Sequence, residues 1–157
     1  MLEEKEFDTW NELKKKTHSY NILSTGFPNE QEVWICVLGK NIGREQNGGE
    51  IDFSRPVLVI KKFNNQIFWV VPLSSRQKKL DFYYNFTDPL FNNVSAIPAQ
   101  LRLISIRRFS RKLYELPSDD YYKICFITRS LIPSPILKIE TPPFERGISE
   151  PEGTVDT

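Results

Sequence analysis

Glu32-Val33-Trp34-Ile35-Cys36-Val37-Leu38-Gly39-Lys40-Asn41-Ile42-Gly43-Arg44-Glu45-Gln46 is the stretch on which the reading of the whole chain turns. Its first seven residues are β-branched or aromatic at most positions, which suits a strand, and two glycines with Asn41 then mark a polar loop. Further β-rich runs follow at 55–61, 67–73, 80–86 and 94–104, the last interrupted by Pro98. Many short strands at close spacing predict a small barrel. Pro56-Val57-Leu58-Val59-Ile60 and Phe68-Trp69-Val70-Val71 are apolar on both faces, so these strands need cover on two sides and a helix must supply one of them.

Upstream, Phe7, Trp10 and Leu13 recur at helical spacing over 6–17, with Asp8 near the start and Lys14, Lys15 and Lys16 near the end, where they suit the helix dipole. This predicts an amphipathic helix whose Phe7 and Trp10 dock on the barrel, followed by a linker at 21–30. Downstream, 119–131 predicts a second helix with Ser118 as N-cap and Tyr121, Ile124, Thr128 and Leu131 on one face. Beyond Ile132 the chain is rich in Pro, Glu, Ser and Thr without apolar periodicity and reads as a disordered acidic tail. The division is thus 1–30, helical extension and linker; 31–132, barrel; 133–157, tail.

The net charge of +1 over 157 residues hides a contrast. From Arg76 to Lys112 eight basic residues stand against two acidic ones, whereas 133–157 holds two basic and five acidic. The first segment suits an anionic partner and the tail has the opposite sign. Cys36 and Cys125 lie in apolar neighbourhoods without metal-site or disulfide spacing and read as buried thiols. Trp34 and Trp69, inside apolar runs, read as core. The acidic N-terminus lacks the features of a secretory signal, and no apolar run approaches the ~18 residues a membrane span needs. The expected location is cytoplasmic, with no membrane association.

Glu32 to Gln46, ending in Gly43-Arg44-Glu45-Gln46, resembles the opening strand and Gly-x-Glu-Gln loop of MazF/PemK-like toxins. Phe53-Ser54-Arg55-Pro56-Val57-Leu58-Val59-Ile60 is similar to the family's Arg-Pro-Val-Leu-Val strand, and Val70-Val71-Pro72-Leu73-Ser74-Ser75 to its strand ending in Pro-Ile/Leu-Thr-Ser. Ser95 to Ile104 followed by Arg107-Arg108-Phe109 resembles its Gln-x-Arg strand and following Arg-Leu. Four blocks in order make a specific signal over roughly 31–131. The resemblance implies a mainly β fold, a small SH3-like β-barrel (MazF/CcdB-like) with flanking helices, to which this chain adds the N-terminal helix and the tail. It also implies a homodimeric type II toxin that cleaves single-stranded RNA without a metal and is silenced by a cognate antitoxin. The same barrel serves toxins that poison a gyrase, so a non-catalytic toxin or interaction module is the alternative.

Metal-free RNA cleavage uses the 2′-hydroxyl as nucleophile and needs a proton acceptor, a proton donor and positive charge at the phosphate. His18, the single histidine, lies outside the resembling region and excludes a two-histidine mechanism. Glu45, Glu50 and Asp52 are the carboxylates of one loop and read as solvated acids rather than a closed metal site, so neither metal nor cofactor is expected. The resemblance carries a catalytic role to Arg55, whose guanidinium matches phosphate bidentately. It carries another to Ser74, where a threonine is usual and the retained hydroxyl can still donate. Glu45 takes part either in proton transfer or in shaping the loop. Gln46, Asn41, Ser75, Lys78, Lys79 and Arg102 complete the RNA-binding candidates, although the two lysines suit a solvated cluster equally well. Arg107, Arg108, Arg111 and Lys112 read as a solvated helix face. Arg44 stands where a small residue is common, so no target sequence carries over. The acidic tail has the charge to occupy a basic groove in place of RNA.

Overall fold

The β-branched and aromatic runs do form the strands, and what joins them is a single curled sheet. The computed structural model describes residues 2–19, 26–49 and 52–133; half of the linker (21–25), Glu50, Ile51 and the tail from Ser134 onward lie outside the described residues. Helix α1 (Leu2–Ser19) precedes β1 (Glu32–Val37), β2 (Ser54–Lys62), β3 (Ile67–Ser74), β4 (Tyr84–Thr87), β5 (Asn93–Ala96), β6 (Arg102–Ser105), β7 (Phe109–Glu115) and α2 (Ser118–Ser130). Short 3-10 turns at Pro98–Gln100 and Ile106–Arg108 flank β6.

All pairings are antiparallel, and the order is β4-β5-β3-β2-β1-β7, with β6 also on β3. The expected closed SH3-like barrel is therefore not what forms: the fold is mainly β with two flanking helices, but the sheet stays open. The chain leaves β3 between β5 and β6. β6 pairs with Ile67 to Val70 and β5 with Leu73 and Ser74, while Pro98, at the start of the intervening turn, turns the chain aside. No ladder joins β7 to β4 or to β6 among the described residues. The single strand predicted at 94–104 is accordingly two, and the one predicted at 80–86 is shorter and shifted to Tyr84–Thr87.

The two-faced apolar strands are covered as their sequence requires. Val57 and Val59 of β2 face inward with Trp34, Cys36, Phe68, Val70, Ile104, Ile106 and Phe109, a core enclosed by the curl of the sheet itself. Leu58 faces the other way and joins Val33, Val71, Leu73, Phe86 and Val94 beneath Tyr121 and Ile124 of α2. Ile124 is fully buried, which contributes roughly 1.5–3 kcal/mol. α2 also ties β2 to β4: the Tyr121 hydroxyl donates to the Ile60 carbonyl at 3.0 Å, and the Tyr84 hydroxyl donates to Asp120 at 2.6 Å. Ser118 is no N-cap, because its hydroxyl instead accepts from the Gln31 side-chain amide at 3.2 Å. Leu131 of the expected buried face is 42% exposed.

Basic residues 107–112 are not a helix face but a 3-10 turn and the edge strand β7. Two register shifts against β1 interrupt the alternation that would have marked a strand. Trp69 is likewise exposed, held edge-to-face on Phe63 at 5.1 Å. Cys36 is fully buried, whereas Cys125 is only partly so. Among the described residues no helix is long and apolar enough to cross a membrane.

Trp10 docks α1 as expected, its ring 5.8 Å from that of Phe53 and covering Gly39. Gly39 has φ +90°, and a Cβ there would fall 2.3 Å from Trp10 Cζ2, so backbone and neighbour both demand glycine.

Glu32 fastens β1 at its start. Its carboxylate accepts from the Trp34 indole at 2.9 Å, the Asn29 amide at 2.9 Å and Lys112 of β7 at 2.6 Å. Burial favours the protonated form, but the Lys112, Asn29 and Trp34 hydrogen bonds outweigh it and hold the pKa below the ordinary 4.5. The unfolded chain then binds the extra proton in acid, so the stability Glu32 supplies is present above about pH 4.5 and lost as pH falls through the folded pKa. Urea unfolding from pH 7 to 3 should show the wild type losing more stability than Glu32→Gln, which starts lower and has the flatter profile.

Candidate active site

Arg55 is the second residue of β2, on the same face as Val57 and Val59, at the end of the sheet where the 39–53 segment returns from β1. Its Nε donates to the Asn47 carbonyl at 2.6 Å and its Nη1 to the Leu73 carbonyl at 3.0 Å. One guanidinium thus pins the loop to β3. Two of five N–H donors are used and no carboxylate of the described residues pairs with it. Burial, and then the nearby Arg76, lower its pKa. An arginine remains charged under such pressure. A partly desolvated cation without a counter-charge is what an anion-binding site requires.

The β2–β3 register pairs Val57 with Pro72; extended by two residues it sets Arg55 opposite Ser74. Both line a cleft of about 430 Å³ together with Ser75. The Ser74 hydroxyl accepts from the Arg76 amide at 3.1 Å, which fixes its rotamer while leaving its own proton to donate.

The far wall was not foreseen. Asp88, buried, accepts from the Leu90 amide at 2.9 Å and the Asn92 amide at 2.8 Å and so closes the β4–β5 turn. Its charge also acts on Tyr114, whose pKa is raised by burial and then by that carboxylate, so the phenol stays protonated. Leu90, Asn92 and Asn93 present this turn to the cleft. Phe91, beside them, is 90% exposed at φ +63°. The Asp88-Pro89 pair, a turn-initiating dipeptide, was the signal available in the sequence.

The other candidates lie apart. Asn41 and Glu45 line a second cleft, against Phe7, Trp10 and Lys14 of α1, and the Glu45 carboxylate accepts from the Ile42 amide at 3.4 Å. Gln46 and Asn41 close the loop on itself: Asn41 Nδ2 donates to the Gln46 carbonyl at 2.9 Å and the Asn41 amide to Asn47 Oδ1 at 2.6 Å. Gly48 packs so tightly there that a Cβ would meet the Phe53 carbonyl at 1.8 Å. Lys78 and Lys79 are exposed on the loop after β3, with Lys78 over the Tyr83 ring. Arg102 is partly buried and its charge is felt at Arg108 rather than in the Arg55 cleft. Among the described residues no group of three His, Cys, Asp or Glu side chains could hold a metal ion; Glu50 lies outside them.

Gln100 tethers the loop from the 3-10 turn, its Oε1 accepting from the Gln46 amide at 3.2 Å and its Nε2 donating to the Arg44 carbonyl at 3.1 Å. Gln100→Ala should speed amide exchange at Gln46 about fivefold, the equivalent of a ~1 kcal/mol hydrogen bond, as read by native-state exchange with NMR. Exchange at the wild-type rate would show the tether to be dispensable.

Residues 29–127 match the family model described as PemK-like, MazF-like toxin of type II toxin-antitoxin system. No curated protein matches the sequence. Among solved structures, MazF (Form-I) from Deinococcus radiodurans is 23% identical with a TM-score of 0.59, over 68% of this chain and 96% of that one. MazE-MazF (Form-II) from the same organism is 21% identical with a TM-score of 0.51, over 68% and 95%. An endoribonuclease from a mycobacterial species is 15% identical with a TM-score of 0.50, over 69% and 93%.

Proposed function

We propose, from the premise that this chain belongs to the PemK-like, MazF-like toxin family of type II toxin-antitoxin systems, that it is a metal-independent, sequence-specific endoribonuclease acting on single-stranded RNA. The observation that carries this reading is the uncompensated, partly desolvated Arg55 facing Ser74 across one cleft. A phosphodiester entering that cleft supplies the missing negative charge. The free donors of Arg55 and the proton of Ser74 meet its non-bridging oxygens, where charge grows as the 2′-oxygen bonds to phosphorus and the bond to the 5′-oxygen breaks. Solvent takes the 2′-hydroxyl proton and returns one to the leaving 5′-oxygen, so the products are a 2′,3′-cyclic phosphate and a 5′-hydroxyl. Because Arg55 and Ser74 are both held by backbone before substrate arrives, little reorganisation is spent on reaching the transition state.

On this reading Glu45 shapes the loop. Its carboxylate holds the Ile42 amide, and the loop carries the Asn47 carbonyl that holds Arg55. Asp88 is the sole carboxylate among the described residues lining the cleft, and both its oxygens are engaged by the turn, Oδ1 by the Leu90 and Asn92 amides and Oδ2 by the Asn92 side chain at 3.2 Å. Single-stranded substrate suits the exposed surroundings, where Phe91 on the β4–β5 turn offers a base-sized aromatic face and Lys78 and Lys79 lie exposed on the loop after β3. A cognate antitoxin and a homodimeric assembly belong to the same proposal. The first is supported by the likeness to MazF solved with MazE.

Cleavage of a long unstructured RNA in excess EDTA provides the test. The wild type should yield discrete fragments. Arg55→Ala should lower the rate about 10²- to 10³-fold, as for loss of one preorganised donor group, and Ser74→Ala about tenfold, as for one hydrogen bond to charge. No fragments from the wild type would sink the nuclease reading in favour of a non-catalytic toxin.

A further inference from the structure

α1 lies outside the residues matched by the family model, and it does more than cover Gly39. Between its C-terminal half and the Ile106–Arg108 turn runs a cleft of about 590 Å³, lined by Lys14, Lys15 and His18 from the helix and by Arg107 and Arg108 from the turn. Asn11, Thr17, Ser19 and Ser105 add neutral polar groups, and no lining residue is a carboxylate. Two segments some ninety residues apart thus bring cations to one concave surface, which a merely solvated charge run on a single helix face does not do.

Arg108 is the most buried of these cations. Its Nη1 donates to the Val37 carbonyl at 2.9 Å, its guanidinium lies 5.7 Å from the Trp10 ring, and burial, followed by Arg102, lowers its pKa. It is fastened by carbonyls and an aromatic face, as Arg55 is by carbonyls, and has no carboxylate partner among the described residues. Arg107 donates to the His18 carbonyl at 2.6 Å and so offsets the negative end of the helix dipole at the mouth of the cleft. Lys15 pairs with Glu12, but both side chains are 65% exposed, and such a pair yields readily to a competing anion.

The cleft is continuous with the one that holds Asn41 and Glu45, because Trp10, Asn11, Lys14 and Arg108 line both. That second cleft reaches the loop whose Gly49 end borders the Arg55 site. The loop that carries Asn41, Glu45 and Gly49 thus has the Arg55 cleft at one end and the cation-lined clefts at the other.

We propose that the groove between α1 and the Ile106–Arg108 turn is a phosphate-binding track for a flanking stretch of the RNA, held by Lys14, Lys15, Arg107 and Arg108. The occupant is single-stranded RNA because a concave row of cations, continuous with the cleft on the loop that also borders the Arg55 site, suits a polyanionic backbone and reads charge rather than base. This inference rests on the nuclease reading for the identity of the polyanion, so the test separates the two.

Fluorescein-labelled 2′-O-methyl RNA of about four and about sixteen nucleotides, spanning the site sizes typical of single-strand binders, is bound to the full chain and followed by anisotropy. The comparison is with Lys14→Gln/Lys15→Gln, which keeps good helix formers at both positions. The wild type should prefer the long oligonucleotide, and the double variant should cut that preference about tenfold. Its salt slope for the long oligonucleotide should fall by about 0.7 for each phosphate that is no longer neutralised. Unmodified RNA is tested for cleavage in parallel. A wild type that binds with this length preference but cuts nothing leaves the track standing and retires the nuclease. An unchanged length preference in the double variant overturns the track, whatever the cleavage result. So does a variant that binds RNA normally but loses affinity for polyglutamate, which would mark the groove as a docking site for an acidic polypeptide.

Discussion

The hydrogen bonds from Arg55 to the carbonyls of Asn47 and Leu73 are the contacts around which the candidate site is built. They fasten the loop after β1 to the end of β3, and they aim a cation into a cleft without neutralising it. A carboxylate partner would have held the side chain equally well, but it would also have met the demand for negative charge. Carbonyls give position and leave the charge for a ligand, and burial beside Arg76 makes that charge more costly to leave unmet. Arg108 repeats the arrangement at the other flank of the same loop, with Val37 and Leu38 as its acceptors.

The sheet can present these groups because it is apolar on both faces. One face curves around Phe68 and Val70 without closing, and the other is sealed by Tyr121 and Ile124 of α2. With both faces covered, the strand ends and loops at one end of the sheet are the places left for polar work. The described residues of the loop there are cross-linked by their own hydrogen bonds. Asn41, Asn47 and Gln46 close it, and Gly48 packs against the Phe53 carbonyl. α1 adds a wall to that end through Trp10 on Gly39.

Strands at β1, β2 and β3 were legible in the sequence because their apolar runs are long and bounded by turn residues, and α1 because Phe7, Trp10 and Leu13 share one face. Arg55 and Ser74 were legible as a pair only through the resemblance; the register then explains why two residues nineteen positions apart can meet. What escaped reading did so for physical reasons. β7 carries its bulges where alternation would have shown. The 94–104 run conceals a break, because Pro98 ends one pairing on β3 before the next begins. Barrel closure depends on which edges meet, a long-range matter that short-range pattern does not record. Asp88 and Tyr114 lie twenty-six residues apart, and nothing local announces that they share one wall of the cleft.

An open sheet has edges, and edges are where β-proteins stick to one another. An unpaired strand exposes a row of amide and carbonyl groups to any other chain that can align with it. Here β4 is only four residues long, and β7 is bent by two register shifts and carries Ser110, Arg111 and Lys112 on exposed positions. Neither offers a long, flat, neutral template. The basic run that looks in sequence like a surface for partners also serves as a guard, keeping one copy of this sheet from extending into the next.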